Sequence, residues 1–313
     1  MDNGVFKSKI KFDKTKLWSH HYYGWSKAIN NLSRYDHIEN PILFEPAIEA
    51  TFVSSETRDD VRIELYKNNS WVGTFHHPPN DEREWFNIKD VLRKNARIKD
   101  LKKCWQNLKG VFVVSSVQKE FYMSLPEFEN IPIEVLLHPT EIKGEIFDYN
   151  LFKNNSKPQL IMVGDHLRSS KTFDSLNTNF EKAIMLGRVD PTKEKKKSMY
   201  FEYQSVSNEK YDEILSKNIM FAQFTQVTAS NLVVECIARA TPLLVNPLPA
   251  VVEYMGKNYP FYFESAEEAQ QKINDDKLIQ KTHYFMKNHP NLEKLKIKYF
   301  EQSIFESDLY KSL

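Results

Sequence analysis

The chain has 313 residues, enough for two domains that each bury a core of their own. With 43 basic against 42 acidic residues the formal net charge is +1, so no overall field asks for nucleic acid or an anionic membrane surface, and no nucleic-acid partner is expected. At 41% hydrophobic and 27% charged residues the composition is that of an ordinary soluble globular protein. No run reaches transmembrane length, and the polar start MDNGVFKSKIKF lacks a signal-peptide core. Cys104 and Cys236, both in apolar helical surroundings, read as buried thiols of a cytoplasmic protein, and no zinc-ligand spacing is present.

After a strand-like KSKIKF, the segment His20–Leu32 is a glycine turn at Gly24 running into a helix, and Pro41–Phe44 reads as a strand. Glu45 and Glu49 follow at helical spacing, which fits solvated acids or acids of an acceptor site, with solvated acids the expectation. In WVGTFHHPPN an apolar run meets two histidines and two prolines, so the strand must stop and present His76 and His77 at its carboxyl end. Imidazole there can bond a hydroxyl in either protonation state or act as a base, or the two rings simply cap the loop.

Helices are expected over Ala96–Leu108 and Val117–Leu125, and strands over Gly110–Ser115 and Ile133–Leu137. HPTEIKGEIFDYNLFKNNSKP then loses periodicity and reads as a linker between domains. Gln159–Val163 is a strand that ends in GDHLRSSK, where Gly164 gives way to Arg168 and Lys171 at the start of a helix, a cationic grip for a diphosphate. A strand over Lys182–Leu186 and a polar loop over Gly187–Lys197 come next.

Ile219–Phe224 and Pro242–Val245 read as strands joined by a crossover helix that is apolar almost all round, from Leu232 to Ala240. Thr228, Ala229, Ser230 and Asn231 suit the capped start of that helix, at the carboxyl end of a strand, where open α/β sheets place ligands and free amides favour phosphate. Glu235 stands alone in the helix interior and needs a partner, either a basic residue of the fold or the hydroxyls of a ribose one turn from the phosphate. Tyr259–Phe263 reads as a short aromatic strand, Ser265 with Glu268 as a capping box, and the segment from Asn291 onward as a largely helical terminus.

The stretch from Thr228 to Gly256 resembles the C-terminal nucleotide-sugar site of GT-B glycosyltransferases, in particular the retaining type called family four or group 1. Their pattern is an acid, seven residues, a second acid on a helix, then a strand and a further acid before a glycine turn. Glu235 matches the second acid, and Glu253 with Gly256 the later element. The place of the first acid falls at Val227, so whatever that acid does is not carried over. The resemblance is strongest over residues 219–265.

The resemblance implies an α/β fold of two doubly wound, Rossmann-like domains facing a cleft, an acceptor-side domain over 1–145 and a nucleotide-sugar domain over 146–290. It also implies a terminal helix over 291–313 crossing back onto the first, and His138–Glu141 at the interdomain junction. The implied activity moves a glycosyl unit from a nucleoside diphosphate donor to an acceptor hydroxyl, with retention. Donor contacts fall to Gly164, Thr228, Ser230, Asn231, Glu235 and Glu253, the leaving diphosphate to Arg168 and Lys171, and the transferred sugar to His76 or His77. No cofactor beyond the co-substrate is expected, and no metal, because cations and helix ends supply the charge and no paired-acid motif is present. Two other classes fit the same residues: a nucleotide-sugar epimerase or hydrolase, and a catalytically silent carbohydrate- or partner-binding module, which the missing first acid favours.

Overall fold

The computed structural model describes residues 6–15, 24–52, 59–78, 98–142, 144–164, 166–185, 200–203 and 206–313. His20, the loop expected over Gly187–Lys197, and Leu186 at the end of an expected strand lie outside the described residues. The chain divides into two compact units, residues 1–139 with 296–313, and residues 140–295. Each unit is built on one parallel five-stranded sheet with helices alternating along the chain.

In the first unit the strands are β1 (Ser8–Lys11), β2 (His37–Glu45), β3 (Trp71–Phe75), β4 (Leu108–Val113) and β5 (Ile133–Val135), paired in that order. The period of two sends alternate side chains to opposite faces: Trp71, Phe75, Val111 and Val113 join a core with the helices Ile48–Phe52, Asp60–Asn68 and Ser116–Met123, while Val72 and Phe112 join another. That second core is closed by Trp25, Ile29 and Leu32 of the helix Gly24–Leu32 and by Phe300, Ile304 and Leu309 from the end of the chain. Both faces of the sheet are therefore covered, which is why β3 and β4 read as continuous apolar runs. β2 starts earlier than Pro41: Asn40 takes φ +53 and Pro41 offers no N–H, so the register to β1 slips between Ser8 and Ile10.

In the second unit β6 (Gln159–Val163), β7 (Glu181–Met185), β8 (Phe201–Tyr203), β9 (Ile219–Ala222) and β10 (Leu243–Val245) lie in the order β10-β9-β6-β7-β8. The chain thus builds outward from β6 in one direction, then returns to build outward in the other. The point of reversal lies between β6 and β9, which pair directly.

Four expectations are corrected. Tyr259–Phe263 forms no strand. Only Tyr262 bridges Val245, because β10 is three residues long and Asn246-Pro247 ends any ladder. The helix expected to reach Leu108 stops at Trp105, since Asn107 donates its side-chain amide to the carbonyls of Tyr66 and Lys67 at 3.2 and 2.8 Å and so turns the chain into β4. Glu45 and Glu49 are 0% and 2% exposed rather than solvated. The terminal segment is two helices, Ile297–Glu306 and Asp308–Ser312, separated at Ser307, whose hydroxyl accepts from the Tyr310 amide at 3.0 Å. Among the described residues no helix is long and apolar enough to cross a membrane.

Candidate functional site

The reversal of strand order in the second sheet falls between β6 and β9, and the carboxyl ends of two such strands are the usual ligand position in an open α/β sheet. Two loops meet there. The loop after β6 turns at Gly164, φ +72, and at Leu167, φ +54, and Arg168 then forms an antiparallel bridge with Phe224 of the loop after β9. The Ser169 amide donates to the Gln223 carbonyl at 2.8 Å and the Thr225 amide to the Leu167 carbonyl at 2.9 Å, so the loops are laced by backbone bonds. Asn246, beyond β10, accepts from the Phe224 amide at 2.7 Å and donates to its carbonyl at 2.9 Å, which fixes the second loop from its other side.

Arg168 is held between these loops. Its guanidinium carbon lies 5.0 Å from the Phe224 ring centroid, a cation–π distance, and its Nη1 sits where a Cβ on residue 164 would fall 2.3 Å away. Gly164 therefore serves both the left-handed turn and the close approach of Arg168. Lys171 is exposed at the first position of a helix of only five residues, Lys171–Ser175.

The loop after β9 leads through Thr228 and Ser230, 2% and 7% exposed, into the helix Asn231–Arg239. Ser230 occupies the capping position, yet its side chain makes no cap bond, against the sequence expectation, and its buried Oγ has no hydrogen-bond partner among the described residues. The first amides of the helix lack intrahelical partners by geometry, so this end offers N–H groups and a hydroxyl six residues after Phe224, the partner of Arg168.

Glu235 lies one turn further along and is 2% exposed. Within the fold its Oε2 accepts a 2.5 Å hydrogen bond from the Tyr211 hydroxyl of the helix Asn208–Lys217. Arg239, the nearest cation, turns instead to Asp212, with Nε and Nη2 at 2.7 and 2.6 Å from its Oδ1. Burial pushes the Glu235 carboxyl up to about 7 against the opposing pull of Arg239 and the Tyr211 bond. Tyr211 was missed in the sequence, although Ser207 before an apolar 211, 214, 215 spacing marks its helix. Glu253 sits on the helix Pro249–Met255, which ends at Gly256 with φ +82, and its backbone carbonyl accepts from the Asn291 side chain at 3.4 Å.

His76 and His77 lie in the first unit, directly after β3. The His76 ring places Nε2 3.0 Å from the Pro46 carbonyl oxygen and stands edge-on to Trp25 at 4.2 Å between centroids. Burial, with His138 and His77 nearby, holds His76 well below the ordinary histidine range, so it is a neutral ring donating from Nε2. His138, 8% exposed, is pushed down to about 4 by burial. The structure thus places Gly164 and Arg168 after β6 and Ser230 and Asn231 after β9, the two strands that flank the reversal, while Glu235 meets Tyr211 and the histidines lie in the other unit. Among the described residues no group of three His, Cys, Asp or Glu side chains is arranged to hold a metal ion.

Two parallel five-stranded sheets flanked by helices, the second reversing its order beside a helix start, constitute the GT-B fold of two Rossmann-like domains. The similar solved structures include a sucrose-phosphate synthase from Thermosynechococcus elongatus (TM-score 0.63, 12% identity, 91% of this chain and 75% of that one). Anabaena HepE, solved in complex with UDP-glucose, gives 0.61 at 9% identity over 87% and 79%. TarM of S. aureus gives 0.52 at 13% identity, and the chain spans 54% of its length. At such identities the likeness is one of fold. No protein-family model and no curated protein matches the chain.

Proposed function

We propose that this protein is a glycosyltransferase that takes its sugar from a nucleoside diphosphate donor and passes it to an acceptor hydroxyl. The observation that carries the reading is the pair of laced loops at the β6/β9 reversal, where a guanidinium packs on Phe224 and the second loop leads into a helix start with no side-chain cap. Glycosyl transfer from such a donor leaves negative charge on a diphosphate, and fixed cations with free amides are the groups that stabilise it. Arg168 and Lys171 take the diphosphate, Gly164 gives it room, and Thr228, Ser230 and Asn231 supply the helix start. The nucleotide-sugar named in the HepE structure supports a donor of this class.

Glu235 takes a ribose hydroxyl through Oε1, because Oε2 is occupied by Tyr211 and Oε1 forms no hydrogen bond among the described residues. Glu253 is kept as a further donor contact. For the transferred sugar and its acceptor hydroxyl the groups are His76 or His77, and His77 is taken as the working choice because the His76 ring donates to Pro46 and stands edge-on to Trp25. The same cations make the reaction independent of a metal, so turnover in excess chelator is expected to equal that without it.

The second reading, a silent binding module, is favoured by one feature, the apolar Val227 where the resembling enzymes have their first acid. Incubation with UDP-, GDP- and ADP-sugars, each with and without a mixture of polyol acceptors, tests both. Release of nucleoside diphosphate that accelerates with acceptor is the expected result. Release that ignores acceptor indicates a hydrolase, conversion of the sugar an epimerase, and calorimetric binding without consumption the silent module.

A further inference from the structure

The loop that carries His76 and His77 is held by a residue to which the proposed glycosyl transfer gives no part. Glu49, on the helix Ile48–Phe52, is 2% exposed, and its Oε1 accepts two consecutive backbone N–H groups, His76 at 2.6 Å and His77 at 2.8 Å. The other side of the corner is gripped by Gln118, which is 0% exposed, donates from Nε2 to the His77 carbonyl at 3.1 Å and accepts from the Val114 amide at 2.9 Å. The backbone of His77 is therefore bonded through both its N–H and its C=O, and the ring of its neighbour is pinned by Pro46 and Trp25. Glu49 and Pro46 come from the segment after β2 and Gln118 from the segment after β4, so neighbouring strands of the sheet set the corner.

A neutral side chain, as Gln118 shows, is enough to hold a loop. Glu49 instead brings a carboxylate into a site where its Oε2 has no hydrogen-bond partner among the described residues, an arrangement that costs free energy. Burial accordingly pushes the acid up to about 7, with Glu45 as an additional like charge. One oxygen receiving two consecutive amides, at 2.6 and 2.8 Å, fixes both peptide units of the corner at once. Such stiffness matters only where the placement of a neighbouring group matters, and the neighbouring group is the half-buried His77 at the carboxyl end of a parallel strand.

We propose that Glu49 is the positioning residue of the His77 imidazole, fixing through two backbone amides the point at which that ring meets an acceptor hydroxyl. This rests on the reading that His77 serves transfer. A ring displaced by about 1 Å loses on the order of a hundredfold in rate, so Glu49→Ala is expected to lower kcat about 30-fold with UDP-glucose as donor, and Glu49→Gln, which keeps one acceptor oxygen, to recover most of that loss. UDP affinity by calorimetry should stay within about twofold in both variants, since the proposed donor residues lie in the other unit. In a double-mutant cycle Glu49→Ala should add nothing to His77→Ala.

An activity-independent arm reads the clamp directly: the His76 and His77 amides should exchange with deuterium at least about tenfold faster in Glu49→Ala and near the parental rate in Glu49→Gln. Unchanged protection, additive effects with His77→Ala, or a joint fall of melting temperature, UDP affinity and turnover would each overturn the proposal. A parental rate in His77→Ala would refute the reading beneath it, whereas an impaired His77→Ala with a parental Glu49→Ala refutes the proposal alone.

Discussion

Glu235, 2% exposed, lies in the interior of the helix Asn231–Arg239. A lone acid in a helix apolar from Leu232 to Ala238 announces a buried carboxyl, and the structure gives it a phenol. If Oε1 takes a ribose, Glu235→Gln should weaken nucleotide binding by about 1.5 to 3 kcal/mol, the range for a hydrogen bond to a charged group, while the fold persists. Titration calorimetry decides it; unchanged affinity leaves only the structural bond to Tyr211. The same variant has a pH signature. The folded carboxyl sits near 7 against an ordinary 4.5, so between these values the native state holds a proton that the unfolded chain has released. The stability of the protonated form is full at low pH and is lost as pH rises through 7, so the melting temperature of Glu235→Gln relative to the parent should climb between pH 5 and pH 8. A flat difference would show that Glu235 does not titrate there. Gly164 gives a second test: Ala at φ +72 costs about 1 kcal/mol and its Cβ displaces Arg168, so Gly164→Ala should weaken UDP binding about tenfold with little loss of melting temperature.

At the scale of elements, the candidate donor site is made by loops rather than by the strands or helices whose ends they join. Leu167 and Ser169 bond to Thr225 and Gln223, and Asn246 holds Phe224, so three strand ends act as one piece. Removing the outermost tie should therefore loosen the site without unfolding the sheet. Asn246→Ala deletes two hydrogen bonds and is expected to cost about 1 to 3 kcal/mol of stability. UDP affinity should fall with it, and faster exchange at the Phe224 amide is the direct check. An Asn246→Ala protein with parental UDP affinity would mean that the loop after β9 takes no part in nucleotide binding. The buried network of Asp212 with Arg239 is a different kind of element contact, since both side chains are within 4% of full burial and anchor one helix to the next.

For the whole molecule, the first unit is completed by the end of the chain. Phe300, Ile304, Leu309 and Tyr310 are 1%, 0%, 2% and 6% exposed, and they close the core that contains Trp25, Ile29 and Phe112. Gly110 of β4 has no Cβ because Leu309 would stand 2.5 Å from it. Glu134 of β5 accepts the Leu309 amide at 2.9 Å, and the Tyr310 hydroxyl accepts the Lys9 amide at 3.0 Å. Each large apolar side chain buried there contributes about 1.5 to 3 kcal/mol, so losing four approaches the whole stability of a domain. Truncation after Leu295 should accordingly unfold or precipitate the first unit, while UDP binding by residues 140–295 persists. A truncated chain with parental near-ultraviolet dichroism and a single parental melting transition would show that the terminal helices only decorate the sheet.

The alternation of parallel strands and helices is legible along the chain, because burial on both faces writes continuous apolar runs such as VFVV and IMFA into it. The chain likewise marks the segment around Glu235 as buried and places His76 and His77 directly after the end of a strand. Tertiary structure alone decided the partners. Tyr211 lies 24 residues from Glu235 and reaches it only because two helices pack side by side. Glu45 and Glu49, polar in any sequence scale, are buried where Ala47, Tyr66 and Arg62 meet the first and the His76 and His77 amides meet one oxygen of the second. The aromatic run Tyr259–Phe263 has strand propensity, yet it meets the short β10 at the single bridge between Tyr262 and Val245. Periodicity records which face of an element is buried; which groups meet there depends on strand order and register, and those are properties of the folded chain.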